Sequence, residues 1–177
     1  MLATLLWPLA VSLVGVSACT APALPQNLTL TALVGKNNLS ALECWAMTPG
    51  LVESTATGTV GALSYTHLGG AGNSSYSLFT ALSNSGLHTA PAPQYVMILT
   101  GTGEISLPSS DPSNSTLSGN YTVVAGDILI AIDTAAVSSR GHNSVWQAGT
   151  SVLQMPFSGD IPSHVVLHDG GCNRPHM

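Results

Sequence analysis

Short apolar runs, rich in β-branched and aromatic residues and bounded by Gly, Pro, Ser or Asn, divide this sequence along most of its length. Residues 94–100 (QYVMILT) and 127–133 (DILIAID) are clear examples. Runs of this length are typical of β-strands, whereas helices need longer stretches with an apolar residue at every third or fourth position. No stretch shows that periodicity over a helix length. The pattern therefore predicts an all-β domain, either a sandwich or a barrel.

The same pattern locates the individual strands. The segment 37–46 is expected to form a short helical turn or a loop, and the polar segment 108–120 (PSSDPSNSTLSGN) an exposed loop. The candidate strands are residues 28–34, 59–68, 76–82, 94–100, 103–107, 121–124, 127–133, 144–146, 151–157 and 165–168.

The N-terminus has the features of a secretory signal peptide. An apolar run ends at Val16-Ser17-Ala18, and its small residues predict cleavage after Ala18. The run is too short to span a bilayer. The sequence Val16-Ser17-Ala18-Cys19 also resembles a bacterial lipoprotein box, which remains an alternative. Residues 1–18 are thus predicted to be a signal peptide and residues 19–177 a single domain, since this length suits one core and no long linker interrupts it.

The charge composition excludes two classes of partner. Only 6% of the residues are charged, and the formal net charge is −5. Binding to nucleic acid or to an anionic membrane surface needs clustered Lys and Arg, and this chain has three in total. Glycans would supply the solubility that so few charges do not provide. Asn-x-Ser/Thr sequons at Asn27, Asn38, Asn73, Asn114 and Asn120 predict a secreted, extracellular glycoprotein.

The chain has three cysteines, Cys19, Cys44 and Cys172. In an oxidising compartment, Cys44 and Cys172 are expected to form a disulfide that ties the C-terminal tail to an early part of the chain. Cys19 would lie at the new N-terminus and has no assigned role.

Two histidines flank the clearest strand patterns. His88 precedes the run 94–100, and His142 follows the run 127–133. Two strands of one small β-barrel can bring both imidazoles to the same cavity. Imidazole is a common metal ligand and exchanges protons near neutral pH. The pair therefore predicts a site for a metal ion or for acid–base catalysis.

The residues around His88 form one recognisable motif. His-Thr-Ala at 88–90 is followed by Gln94 and, after the strand pattern, by Gly101. A second motif begins at Gly126-Asp127 and ends at Gly141-His142, with a stretched interval between its two halves.

Together these motifs resemble the cupin family over residues 63–157, and in particular its small secreted fungal members. The resemblance implies a double-stranded β-helix, or jelly-roll barrel, that often dimerises through edge strands. It also implies a metal held by three His and one Glu. Here Ala90 replaces the second His and Gln94 replaces the Glu.

The ligand set implied by the resemblance is His88, Gln94 and His142, around one divalent ion of Mn, Fe, Cu, Zn or Ni. Gln is a neutral donor and a weaker ligand than a carboxylate. His67 is the preferred additional ligand, and Asp133 and Glu104 rank lower. Asp127 matches a family position that usually stabilises a turn.

Three further residues are candidate walls of the substrate pocket: Tyr65, Met97 and Trp146. Core packing is the alternative for Met97, and an outward orientation is the alternative for Trp146. His164 and His168 are not expected to share a metal, because four residues along a strand separate them by about 13 Å.

The sequence leaves several functions open. One is a secreted enzyme that acts on a small aromatic or carbonyl-bearing molecule, as a metal-dependent oxygenase, an isomerase or a cyclase, or through His88 and His142 as metal-free acid and base. Another is a non-catalytic binding or wall-associated glycoprotein whose metal site has decayed. An effector that acts through its glycosylated surface is the third.

Overall fold

A computed structural model describes residues 26–57, 59–69, 72–111 and 117–173. The predicted signal peptide, Cys19 and the sequon at Asn114 lie outside these residues.

The described residues confirm an all-β fold and contain no helix. Their strands are β1 (Thr29–Lys36), β2 (Leu39–Met47), β3 (Val52–Glu53), β4 (Leu63–Ser64), β5 (Ser75–Phe79), β6 (Ser83–His88), β7 (Gln94–Thr100), β8 (Thr102–Pro108), β9 (Leu117–Val124), β10 (Ile128–Ala131), β11 (His142–Trp146), β12 (Thr150–Pro156) and β13 (His164–Asp169).

Two sheets form the body of the fold. The larger has the strand order β13-β2-β1-β10-β7-β12-β5, and the smaller has the order β6-β11-β8-β9. All neighbours pair antiparallel except β1 and β10, which are parallel. Apolar side chains from both sheets meet in one core cluster. The result is a sandwich of jelly-roll type that does not close into a barrel.

The central strands of the larger sheet are buried on both faces. Leu33 of β1 points into the core between the sheets, while its neighbours Ala32 and Val34 join a second apolar cluster on the opposite face. Tyr65 and Leu68 of the connection between β4 and β5 pack against this second cluster. A strand covered on both faces needs a nearly continuous apolar sequence, and β1 and β10 have one.

The segment 37–46 is not a helical turn or a loop but most of strand β2. Lys36 pairs with Leu39, so Asn37 and Asn38 alone form the turn between β1 and β2. Both have a positive φ, of 52° and 63°. These are the values of the two-residue turn that suits the twist of a hairpin, and Asn tolerates them better than most residues do. Pairing with β1 on one side and β13 on the other fixes β2 as a strand.

Other strand predictions also differ from the structure. Residues 117–120, expected to belong to an exposed loop, are the first half of β9. Within the run 59–68 only β4 is a strand, and it pairs with the two-residue β3 alone. Strand β6, with the sequence SNSGLH, lacks the β-branched residues that would have indicated it. Its conformation follows from its pairing with β11. Strand β7 has the predicted bounds.

A disulfide between Cys44 and Cys172 confirms the predicted pairing and attaches the C-terminal tail to β2. The backbone N–H of Cys172 also donates to the Thr31 hydroxyl at 2.8 Å. In the part of the chain that the structure describes, no helix has the length and apolar character needed to cross a membrane.

Candidate functional site

A cavity of about 230 Å³ lies between the two sheets. His88 of β6, Gln94 of β7 and His142 of β11 all line it, and so does Trp146. Its remaining wall is largely the apolar core, including Leu33, Val96 and Leu129. The structure thus brings together the three residues of the predicted ligand set and one of the three predicted pocket residues.

The two imidazoles meet because β6 and β11 place His88 directly opposite His142. Their ring centroids are 4.6 Å apart, and the ring planes are tilted by 54°. Gly141 precedes His142 with a φ of 68°. A Cβ atom at this position would collide with the carbonyl oxygen of His88. A glycine is therefore needed both for the backbone conformation and for the close approach of the two strands.

A buried carboxylate orients His142. The Nδ1 atom of His142 lies 2.8 Å from Oδ2 of Asp133, and the two residues are 5% and 0% exposed. The hydroxyl of Ser40 donates to the same oxygen. Because that donation uses the single hydroxyl proton of Ser40, the hydroxyl of Ser138, 2.8 Å away, donates to Ser40 in turn. This chain of hydrogen bonds holds Asp133 as an acceptor behind the imidazole, so Nδ1 of His142 bears the proton.

His88 has the same tautomer for a different reason. Its Nδ1 atom lies 2.8 Å from the carbonyl oxygen of Gly86. A carbonyl can only accept, so Nδ1 of His88 is the donor. In the neutral form of each ring the lone pair is then on Nε2, the atom left for a ligand in the cavity. His88 is exposed whereas His142 is buried, which places His88 at the mouth and His142 deeper inside.

Gln94 contributes an unpaired amide to the cavity. The residue is only 5% exposed, yet no described residue forms a hydrogen bond with its side chain. The amide is not among the side-chain groups that are both fully shielded from solvent and without a partner, so water or a ligand in the cavity can reach it. The Gln94 amide is therefore available to a bound molecule.

An aromatic wall completes the cavity. The rings of Phe79 and Trp146 are stacked, with centroids 5.3 Å apart and planes within 13° of parallel. Both residues line the cavity. Gly103 of β8 lies opposite Trp146 on β11.

Two predicted pocket residues lie elsewhere. Met97 follows Val96 on β7, and successive strand residues point to opposite faces of a sheet. Val96 lines the cavity, so Met97 faces away from it. Tyr65 packs against the apolar cluster on the outer face of the larger sheet, and its hydroxyl donates to the carbonyl of Thr48 at 3.2 Å.

Three candidate metal ligands also lie apart from the cavity wall. His67 is exposed, with its ring 5.7 Å from that of Tyr65. Glu104 is exposed on β8, where it pairs with Val145. Asp133 contacts His142 and not the cavity itself.

The donor set bears on the metal predicted from the resemblance. Two imidazoles whose Nδ1 atoms are held by an acceptor suit a transition metal, and a carboxylate behind a ligand His is common in such sites. However, no group of three or more His, Cys, Asp or Glu suitable for a metal occurs among the described residues. Among the described residues, the cavity lining supplies two good donors and two neutral amides, Gln94 and Gln154, but no negative charge.

The remaining sequence candidates have structural surroundings of their own. Oδ2 of Asp127 accepts from the backbone N–H of Val124 at 2.8 Å, a turn contact. His164 stacks on Trp45 with a centroid distance of 3.5 Å, and Nδ1 of His168 bonds to a backbone oxygen.

The four described sequons differ in exposure. Those at Asn38, Asn73 and Asn120 are exposed. Asn27 is half-buried, and its amide donates to the Met47 carbonyl at 2.9 Å.

Sequence reasoning missed the support behind His142. Asp133 was considered as a metal ligand and not as the partner of an imidazole, and Ser40 and Ser138 were not considered. One signal was present: Asp133 ends the run DILIAID in a chain with only eight acidic residues. An acidic residue that continues an apolar strand is expected to be buried with a partner.

Comparison of the chain with protein-family models, with curated proteins and with solved structures found no match. The function is therefore argued from the geometry of the cavity.

Proposed function

We propose that this protein is a secreted, cupin-like enzyme that transfers a proton within a small molecule bound in the cavity. The observation that supports this most is the opposed pair His88 and His142, each anchored through Nδ1 and each lining the same small cavity. His142 is the base, and His88 is its partner.

The chemistry follows from the position of Asp133. When Nε2 of His142 accepts a proton from a carbon next to a carbonyl, the C–H bond breaks and its electron pair forms a C=C bond. The carbonyl oxygen then accepts a hydrogen bond from the Gln94 amide, or it takes the Nε2 proton of the imidazolium form of His88, which leaves that ring neutral with its remaining proton on Nδ1. Asp133 stabilises the imidazolium formed on His142. Positioned acid–base groups of this kind accelerate reactions by about 10²–10⁴-fold.

Secretion and glycosylation belong to the same proposal. The Cys44–Cys172 disulfide supports an oxidising compartment. The exposed sequons at Asn38, Asn73 and Asn120 would be accessible to a glycan in the folded protein.

Hydrogen exchange into a carbonyl compound tests the reaction without knowledge of the product. The protein is incubated in D₂O with a panel of small ketones that includes acetophenone, and deuterium at the carbon next to the carbonyl is followed by NMR. We expect exchange that is lost in His142→Gln and kept in His168→Gln, a matched change on the exposed strand β13. Equal exchange in the wild type and His142→Gln would overturn the proposal.

A metal centre is the second candidate, because the anchored imidazoles suit metal ligation. His88, His142 and Gln94 would hold one divalent ion of Mn, Fe, Cu, Zn or Ni. Such an ion would act as a Lewis acid or bind O₂. Elemental analysis of protein secreted without a histidine tag tests this. About one equivalent of metal, lost in a His88→Ala, His142→Ala double variant, would favour the metal.

A non-catalytic binding protein is the third candidate, favoured by the replacement of the motif residues with Ala90 and Gln94. Ligand binding in the cavity without hydrogen exchange and without metal would support it.

A further inference from the structure

We infer that the ligand of this cavity is an uncharged, planar molecule with a carbonyl or phenolic oxygen, and that Gln94 binds that oxygen. The inference deepens the proposed function and rests on the cavity being the ligand site.

Gln94 identifies the polar contact. Its residue is 5% exposed and lines the cavity, and its amide has no hydrogen-bond partner among the described residues but is still reached from the cavity. An amide presents both an N–H donor and a C=O acceptor, so it can pair with a carbonyl oxygen or with a hydroxyl group. A ligand oxygen at this position would complete the hydrogen bonding that the folded chain leaves incomplete.

The charges around the cavity argue against an ionic ligand. Among the described residues that line it, none is Asp, Glu, Lys or Arg. A carboxylate in the ligand would meet no Lys or Arg in the wall, it could pair only with a protonated imidazole, and it would lie near the buried Asp133. An ammonium group would lose its water without meeting a carboxylate in the wall. Transfer of either ion from water would be unfavourable.

The aromatic wall and the volume set the shape. Phe79 and Trp146 both line the cavity, and their rings are stacked on each other within 13° of parallel. A flat ring can extend such a stack with more contact area than a puckered one does. A volume of about 230 Å³ is below the usual range for drug-sized ligands. One small ring compound is therefore the expected occupant.

Four probes of similar size separate these features. They are acetophenone, benzoate, benzylammonium and cyclohexyl methyl ketone, which are respectively neutral and planar, anionic, cationic, and neutral but puckered. Each is titrated into ¹⁵N-labelled full-length mature protein. The side-chain amide signal of Gln94 reports contact, and the titration curve gives the affinity. We expect acetophenone to bind most tightly and to shift the Gln94 signal.

Variants assign the contact to Gln94. Gln94→Leu keeps the size of the side chain but removes the hydrogen bond, and we expect acetophenone to bind about tenfold more weakly. Gln147→Leu makes the same change at an exposed turn and should leave the affinity unchanged. The urea midpoint of each variant shows whether it is folded, and in the wild type the Gln94 signal tests the same contact without any substitution.

Three results would overturn the inference: tighter binding of benzoate or benzylammonium than of acetophenone, an unshifted Gln94 signal in the bound wild type, or no binding of acetophenone. The proposed proton transfer can fail separately. Acetophenone that binds at Gln94 but gains no deuterium would leave the ligand class standing and contradict the catalytic role of His142.

Discussion

Gly103 and Trp146 lie directly opposite each other on β8 and β11, and the indole of Trp146 occupies the space that a side chain at position 103 would need. Trp146 is 7% exposed and forms part of the cavity wall. The absence of a side chain on one strand thus determines the position of an aromatic ring on the next.

We expect Gly103→Ala to displace this ring. Its Cβ atom would collide with the indole, and overpacking of a core typically costs about 1–3 kcal/mol. Binding of acetophenone should weaken as well, because the aromatic wall moves. Urea unfolding measures the first effect and NMR titration the second. Gly72→Ala is the control, since a Cβ there meets no atom within 4 Å. Equal stability of the two variants would show that Trp146 adapts freely.

Asp133→Asn should change the tautomer of His142 while nearly keeping the shape of the side chain. The amide can donate to Nδ1, which would move the ring proton to Nε2 and remove the lone pair from the cavity. The hydrogen-exchange rate should then fall by about 10²–10⁴-fold. The ¹⁵N shifts of the His142 ring report the tautomer directly. Asp127→Asn, a matched change at a turn, should leave the exchange rate and the His142 ring shifts unaffected. Unaltered ring shifts in Asp133→Asn would contradict the assigned role.

Removal of the disulfide should lower stability strongly. Cys44 and Cys172 are 128 residues apart. In the chain-entropy model, closing a loop of this size stabilises the fold by about 4–5 kcal/mol. A Cys44→Ala, Cys172→Ala double variant should lose most of that free energy in urea unfolding, and reduction of the wild type should have a similar effect. A loss below about 1 kcal/mol would indicate that the denatured state is already compact.

The ion cluster of Lys36, Glu43 and Asp169 should make stability depend on acid pH. Nζ of Lys36 lies 2.7 Å from a carboxylate oxygen of each acid. Burial alone would raise the pKa of Glu43, but hydrogen bonds from Lys36 and Trp45 outweigh it and lower that pKa. The hydrogen bond from Lys36 also lowers the pKa of Asp169.

Both acids bind their protons less tightly in the folded chain than in the unfolded one. Their contribution to the free energy of unfolding is therefore complete above the unfolded pKa values of about 4. It is lost as the pH falls through the lower pKa values of the folded chain. Glu43→Gln should therefore be less stable than the wild type at pH 7, and the difference should narrow at acid pH. Urea midpoints between pH 3 and pH 7 test this. The exposed Glu104→Gln serves as the control, and a difference independent of pH would contradict the assignment.

A strand could be predicted from the sequence where its own residue pattern fits only a buried strand. The run 94–100 is apolar because β7 is paired on both sides and packs on the core, and its bounds were predicted correctly. Strand β6 was missed because its conformation depends on β11 and not on its own SNSGLH sequence. Strand β2 was missed because the Asn37-Asn38 turn was not recognised as a hairpin turn.

The site was predictable in part for a similar reason. His88, Gln94 and His142 lie at strand ends, where sequence position alone places them near one cavity. Placing Met97 required knowledge of which face of β7 its side chain occupies, and a shift of one residue reverses that face. Tyr65 lies in the connection between β4 and β5, whose path the sequence pattern did not indicate. The link from Asp133 to His142 joins residues of one loop that starts and ends at the site. Ser40, however, comes from a distant hairpin, and only the folded chain brings it there.

The positions of the two bridged cysteines have a consequence for limited proteolysis. Apart from Leu33, every residue that lines the cavity lies between Cys44 and Cys172 in the chain. A single backbone cut anywhere in that interval, for example near the exposed Ser110, yields two pieces that remain covalently joined. Nicked protein would therefore migrate as one species until a reductant is added. The disulfide thus keeps both pieces of a nicked chain, and the cavity residues that they carry, in one molecule.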